Sequence, residues 1–513
     1  MKLIKNKINF LIFSGIALMY LLSMPARRPH LDDAWIGEHS YWLQRDRVVK
    51  SKLMAGVADS EKRLLLHHKL FTLQGAAVIA IVGFSLSWLK AVSLVYLILM
   101  VVALAMTAKR MALFSHSISL TFMLFLLLIN PLVFEFSFVF RPEIMLSFLG
   151  LLSYFFLWRA CQSNQGKPGA NALLSGLFAG LGLATHLNGI IFISAGFLVF
   201  MLKRRSILAL FFASTAGMAS MLYFYDFRSF SDIAVWYKQL TYIPTDSGDL
   251  NPFLKLLFNS LREHLRYFHS PVEICLSLTL LYVLGRGWKT LWKKQPVLLL
   301  YTFLLTLSLS ALALNKTSKY LILMLPYFLM MVALYTDQLL EDSRLKELKR
   351  LGILIIITLF VSLYNDVGVI VNKYDSGLNQ RIREIFAGKE AEKMHVLGPM
   401  ELIFNEIDDY GQITSLMSYN ERLKLIPDLK ATKLLRTAQN EDIDLILMDD
   451  TYIKVFEMAP FPLGVMVAGY VLSYKSDELM VWERCGLQKT IPLPIKLTTV
   501  YDAGPFRFHS AFN

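Results

Sequence analysis

Two adjacent carboxylates, Asp32 and Asp33, follow an apolar run in the segment His30-Leu31-Asp32-Asp33-Ala34-Trp35-Ile36-Gly37-Glu38-His39, and Glu38 adds a third five residues after Asp33. Carboxylates beside a membrane surface can supply a general base where a lipid-borne substrate meets a water-borne one. Asp is also a common helix cap, and the pair alone fits the start of the helix that follows better than it fits a base.

Four more polar groups stand between apolar runs. His67-His68-Lys69 is a cationic cluster able to neutralise a phosphate, or to face lipid headgroups. As metal ligands the adjacent histidines are poor, because their side chains diverge on a helix. In Phe140-Arg141-Pro142-Glu143, Pro142 suits a first helical turn and Glu143 the positive end of a helix dipole, which is a sufficient structural explanation. Thr185-His186-Leu187-Asn188-Gly189 carries an Asn-Gly turn signal. Asn315-Lys316-Thr317-Ser318-Lys319 precedes Tyr320 and puts two lysines where positive charge is unusual if that surface is the outer one.

The elements that must position these groups are membrane helices. Of 513 residues, 55% are hydrophobic and 18% charged, with a mean hydropathy of +0.48. Apolar runs close to the roughly 20 residues of a bilayer crossing recur from residue 8 to about 371. The net charge of +13 is concentrated in short clusters between these runs, where it sets topology instead of binding nucleic acid. Ile8 to Met24 follows Lys2, Lys5 and Lys7 and lacks a small-residue cleavage site, so it reads as an uncleaved first helix with a cytoplasmic N-terminus. The three cysteines, Cys161, Cys275 and Cys485, offer no disulfide framework.

Basic clusters taken as cytoplasmic markers require an even number of crossings between neighbours. They predict two helices between Leu113 and Trp158, broken near Glu135 to Glu143, and two between Ala172 and Leu202, broken at Thr185 to Gly189. Only one crossing fits between Leu70 and Lys109, so Trp88 to Thr107 is assigned to the membrane and Leu70 to Phe84 to an amphipathic helix on the outer interface. Ile207–Tyr225, Pro271–Leu284, Pro296–Leu314, Tyr320–Tyr335 and Leu351–Val371 complete a count of about eleven. The expected fold is therefore mainly α, a polytopic bundle over 1–371 with outer loops at 25–84 and 226–270. Residues 372–513 are expected outside the cytoplasm as a small α/β domain, with strands at His395–Leu397, Leu445–Met448 and Tyr470–Ser473 and a helix at Leu429–Thr437.

In this order the polar segments resemble the C-type glycosyltransferases, in particular the bacterial branch of the lipid A aminoarabinose transferase and protein mannosyltransferase-like enzymes, over about 340 residues. Asp32-Asp33 falls where that family has its acidic pair, and Glu38 at a further acidic position. His67 to Lys69 falls where it opens its interfacial helix, Arg141 to Glu143 at its fourth helix, Thr185 to Gly189 at a Thr-Lys-Gly turn, and Lys316 to Pro326 at a Lys-rich approach to a Tyr-Ile-Leu helix. Asp33 stands where Glu is common, His186 where the turn has Lys, and His67 where the aminoarabinose branch has a basic Lys.

The resemblance implies a multi-pass cell-membrane enzyme that transfers a sugar from a polyprenyl-phosphate donor to an extracytoplasmic lipid, glycan or protein acceptor, with inversion. Asp32 would be the base and Asp33 its catalytic partner. Glu38 and Glu143 would orient the base or bind sugar hydroxyls, and His67, Lys69, Lys316 and Lys319 would stabilise the phosphate. His68, Arg141 and His186 would complete the substrate-binding set. A divalent metal bridging the acidic pair and the phosphate is known in distant relatives, but no ligand set is readable, so none is assigned. Two other classes remain: a flippase of lipid-linked sugars, which predicts repeated halves and charges at mid-bilayer, and a non-catalytic scaffold in which Asp32 is only a cap.

Overall fold

The structure is a computed structural model that describes residues 2–27, 30–162, 167–242, 252–313, 316–371, 393–400, 407, 411–476 and 479–486. Parts of the expected outer loop 226–270 and tail 372–513, and Asn315, lie outside the described residues.

Helices follow the apolar runs. They are α1 (Lys2–Ser23), α2 (Leu31–Asp46), α3 (Lys69–Val82), α4 (Leu86–Arg110), α5 (Ser117–Leu128), α6 (Pro131–Phe136), α7 (Glu143–Cys161), α8 (Pro168–Thr185), α9 (Ile190–Leu202) and α10 (Ser206–Ser220). α11 (Ser231–Thr241), α12 (Pro252–Leu261), α13 (His264–Tyr267), α14 (Pro271–Lys294), α15 (Pro296–Leu312), α16 (Leu325–Glu341) and α17 (Leu345–Val371) complete the bundle. Proline or Asn marks several breaks: Asn130 caps α6 by accepting the Leu132 N–H, and Pro131 takes its first turn. Gly83, at φ +81°, ends α3 and lets the chain turn into α4 in a conformation few other residues adopt.

Each of the eleven expected crossings lies on a helix, but the count does not follow. Among the described residues four helices are long and apolar enough to cross a membrane: Leu86–Arg110, Glu143–Cys161, Ser206–Phe224 and Leu345–Val371. The pair Leu257–Tyr267 and Pro271–Lys294, bent by 105°, makes a fifth if taken as one span. Several others, such as Ser117–Leu128 and Pro296–Leu312, are apolar but shorter than a bilayer crossing. α17 carries outward-facing Ile353, Ile356 and Phe360, the last 71% exposed, as a lipid-facing helix would. Inside the bundle α8 packs against α10 through Gly176 and Gly180, where a methyl group would come within 2.2 Å of Phe212 O and 2.4 Å of Ala216 O. Small residues four apart let two backbones approach this closely.

The tail is a six-stranded mixed sheet of order β2-β1-β3-β6-β5-β4. Its strands are β1 (His395–Gly398), β2 (Gln412–Ser415), β3 (Leu445–Asp449), β4 (Met466–Val467), β5 (Tyr470–Lys475) and β6 (Leu479–Arg484), with β2, β1 and β3 parallel and the rest antiparallel. The three expected strands are present, and the expected helix is Ala431–Asn440. Strand periodicity gives the sheet two buried faces. Val396, Leu445, Leu447, Leu479 and Val481 join a core with Ile36, Tyr41, Leu53 and Met54 of α2 and its following loop. Leu397, Ile446, Met448, Met480 and Trp482 pack on the other face against Leu434, Leu435 and Tyr419 of the tail's own helices. Ser415 N donates to Leu53 O at 2.9 Å across the junction.

Candidate active site

The polar segments meet where α2, α4 and α7 begin, α8 ends and α3 opens. The start of α2 is a capping box: His30 Nδ1 accepts the Asp32 N–H at 3.1 Å, and Asp33 Oδ2 accepts the His30 N–H at 2.8 Å. Asp33 Oδ1 accepts the Phe140 N–H at 2.5 Å, and Lys90 Nζ lies 3.4 Å from Oδ2. Asp33 and Lys90 are both buried. The capping role thus belongs to Asp33, and its carboxylate is committed to the fold. Lys90, in the first turns of α4, is its counter-ion.

Asp32 is left to face the other way. Its carboxylate meets Arg141 Nη1, and its side chain is 16% exposed while those of Asp33 and Glu143 are fully enclosed. The same guanidinium reaches Glu143 through Nε at 3.0 Å and Nη2 at 2.5 Å. Ser93 Oγ donates to Val139 O at 2.6 Å and to Arg141 O at 3.2 Å, which fixes the Arg141 loop on α4. Arg141 also sits 5.6 Å over the Phe136 ring.

Beside this pair the His68 and His186 rings stack at 4.7 Å and 15°, and Tyr320 stands edge-on to His186 at 5.9 Å. His186 Nδ1 accepts the Asn188 N–H at 2.9 Å, so the expected turn is also the mount of that imidazole. Lys319, just before Tyr320, is half-buried and makes no ion pair among the described residues. Burial, helped by the nearby Arg141 charge, pushes its ammonium down to about 8. Burial likewise holds His68 down to about 4 and His186 well below the ordinary histidine range. The resulting set is one partly exposed carboxylate, a guanidinium, a readily neutralised ammonium and two neutral imidazoles. Such donors suit a phosphate in a low-dielectric site.

Four expected site residues are engaged elsewhere. Glu38 is saturated: Trp42 Nε1 and Lys52 N donate to Oε1 at 2.8 and 2.7 Å, and Ser51 Oγ donates to Oε2 at 2.6 Å. It ties α2 to the following loop, and burial raises its carboxyl to about 7. His67 Nε2 donates to Asp226 Oδ2 at 2.9 Å, with the Thr72 hydroxyl 3.2 Å from Nδ1. Lys69 Nζ donates to Asp226 Oδ1 and Oδ2 at 2.8 and 2.9 Å and to Leu65 O at 2.7 Å. Lys316 pairs with Glu263 at 3.0 Å and donates to Ser310 O at 2.6 Å. Their charges are neutralised within the fold, whereas Arg141, Lys319, His68 and His186 gather around Glu143. Among the described residues no three His, Cys, Asp or Glu side chains converge as metal ligands. Asp33 accepts the His30 and Phe140 N–H groups with its two oxygens.

The chain superposes on ArnT from Cupriavidus metallidurans bound to undecaprenyl phosphate with a TM-score of 0.57 at 11% identity, covering 92% of this chain and 97% of that one. It superposes on the apo oligosaccharyltransferase of Archaeoglobus fulgidus with a TM-score of 0.53 at 10% identity, covering 86% of this chain and 70% of that one. The AglB oligosaccharyltransferase of the same organism, in complex with an inhibitory peptide and a dolichol-phosphate, gives 0.53 at 10% identity over 87% of this chain and 70% of that one. This chain has the fold of the C-type glycosyltransferases. No family model and no curated protein sequence matches it.

Sequence reading missed Asp226, Lys90, Glu263 and Tyr320. Asp226 is a loop acid far in sequence from His67 and Lys69, so no local spacing reveals it, whereas Glu263 pairs with Arg266 three residues on as well as with the distant Lys316. Tyr320 was visible as the residue after Lys319, though nothing in its neighbourhood indicated its place beside His186.

Proposed function

We propose that this protein is a membrane glycosyltransferase that moves a sugar from a polyprenyl-phosphate-linked donor to an acceptor on the extracytoplasmic side. Support comes from the C-type fold and from two neighbours that hold undecaprenyl phosphate and a dolichol-phosphate. The observation that carries the reading is the division between the two aspartates: Asp33 is buried in the helix cap, while Asp32 is partly exposed against Arg141.

In this reading Asp32 takes the proton of an acceptor hydroxyl as its oxygen attacks the anomeric carbon from the face opposite the phosphate. The new C–O bond forms, the bond to phosphate oxygen breaks, and the electron pair leaves on the polyprenyl phosphate with inversion. Phosphate needs no general acid to depart, so Arg141 and Lys319 suffice to stabilise its charge, with His68 and His186 as neutral hydrogen-bonding groups. Glu143 holds the Arg141 fork in place. In this reading the N-terminus lies in the cytoplasm, as the basic clusters favour, and the tail sheet lies outside it. A flippase reading is weaker, because the charges of this site gather at helix ends instead of mid-bilayer.

The test is sugar release from a panel of polyprenyl-phosphate sugars, with membrane extract as acceptor. The purified protein should release sugar, and Asp32→Asn, still folded, should lose about 100-fold or more. Release unaffected by this change would move the base elsewhere. No release from any donor would favour the flippase and scaffold readings.

A further inference from the structure

A polar cleft away from Asp32 lies between the back half of α2 and the edge of the tail sheet. Its volume is about 370 Å³, and its walls include Trp42, Arg45, Asp46 and Lys52 on one side and Gly411 and Gln412 on the other. Trp42 is ringed by cations: Lys50 Nζ at 4.5 Å, Lys52 Nζ at 4.7 Å and the Arg45 guanidinium at 5.7 Å from the ring centroid. Lys50 is balanced by Asp46 at 2.5 Å. Lys52 has no carboxylate partner among the described residues, and burial together with Lys50 lowers its affinity for a proton. The floor is rigid, because Glu38 accepts the N–H groups of Lys52 and Leu53. Crowded like charges beside an unpartnered ammonium are costly in an empty cleft and favourable around an anion. Trp42 lies ten residues after Asp32 on the same helix, about 15 Å along its axis.

We propose that this cleft is an anion subsite, separate from the catalytic aspartate, that takes a phosphate or carboxylate substituent of the acceptor while the acceptor hydroxyl reaches Asp32. The acceptor part rests on the transferase reading given above; the anion site itself does not. Holding a remote anionic group helps the enzyme select among acceptors and orient them, since the binding is made far from the reacting atoms.

The first experiment is calorimetric titration of the full-length protein in detergent with inorganic pyrophosphate at constant ionic strength. Saturable binding is expected, weakened roughly tenfold by Lys52→Gln and also by Arg45→Gln, and unchanged by Asp32→Asn. Absence of saturable binding, or binding indifferent to both cleft variants, overturns the site. Phosphatidylglycerol nanodiscs distinguish the source of the anion: if they displace pyrophosphate, the occupant is the bilayer's own headgroups and the acceptor assignment fails. In the transfer assay Lys52→Gln should raise the acceptor KM about tenfold while leaving kcat and donor KM unchanged. An unchanged acceptor KM overturns the acceptor assignment. If the unaltered protein binds pyrophosphate but transfers no sugar, the transferase reading and the acceptor assignment fall together, and the anion site stands.

Discussion

Asp33 Oδ1 accepts the backbone N–H of Phe140 at 2.5 Å, joining the start of α2 to the loop that carries Arg141. Asp33 therefore holds the site together, and in the proposed reading Asp32 is the base that acts in it. Asp33→Ala should leave the Phe140 N–H and the Lys90 ammonium buried without their acceptor, at a cost of about 3 kcal/mol. Asp32→Asn should keep the melting temperature close to that of the unaltered protein and abolish most transfer. Thermal unfolding in detergent, run beside the sugar-release assay, checks both halves. Equal loss of stability in the two variants would refute this division.

Asp226 is the joint acceptor of His67 and Lys69, and removing its charge strands a buried ammonium. Asp226→Asn should destabilise the protein by about 3–5 kcal/mol. The double change Asp226→Asn with Lys69→Met should recover part of that loss, because the uncompensated charge is gone. A double-mutant cycle on unfolding midpoints measures the coupling.

The Lys319 ammonium, held down to about 8 by burial and by Arg141, should set an alkaline limit. It is charged below that pH and neutral above it, so kcat/KM should decline as pH rises through about 8 in the free enzyme. A phosphate in the site favours the charged form, so the decline in kcat should lie at higher pH. Lys319→Arg, with a guanidinium that stays charged, should remove the decline from kcat/KM. Persistence of the same limb in that variant would assign it to another group.

Glu38 has its carboxyl raised to about 7 by burial, above the ordinary 4.5. Between these two pH values the folded chain binds more of a proton than the unfolded chain does. Stability from this group is thus greatest at acid pH and falls as pH rises to about 7, by an amount on the order of 3 kcal/mol. Glu38→Gln should flatten that slope relative to the unaltered protein when melting is followed from pH 4.5 to 8.

Much of the helical framework was legible because lipid-facing and core-facing helices are both apolar, and because Pro131, Pro168, Pro271 and Pro296 mark helix starts. The break at Thr185 to Gly189 was legible from its Asn-Gly turn signal. Crossing number was not, since Pro168–Thr185 and Ile190–Leu202 are separate helices too short or too polar to pass as spans on their own. Strands β2, β4 and β6 went unseen: Gln412–Ser415 has four residues and Met466–Val467 two, and Leu479–Arg484 is buried on both faces for most of its length and so lacks a strong polar alternation. At the site, the five polar segments were legible as segments, but their internal division was not. Which aspartate caps, and which lysine is neutralised, depends on Phe140, Lys90, Asp226 and Glu263, all distant in sequence.

The doubly buried sheet bears on how the protein is made. Leu53 and Met54 are synthesised early, and the strands that cover them come from the far end of the chain. Until Val396, Leu447 and Val481 arrive, the loop after α2 must wait with its apolar side chains open to water, in a compartment where aggregation competes with folding. A nascent chain stalled before β1 would therefore be a natural client for a chaperone. The tail, released alone, would carry a naked apolar face of its own. Neither piece is a self-sufficient unit, so quality control of this protein should recognise the junction before it recognises anything at Asp32.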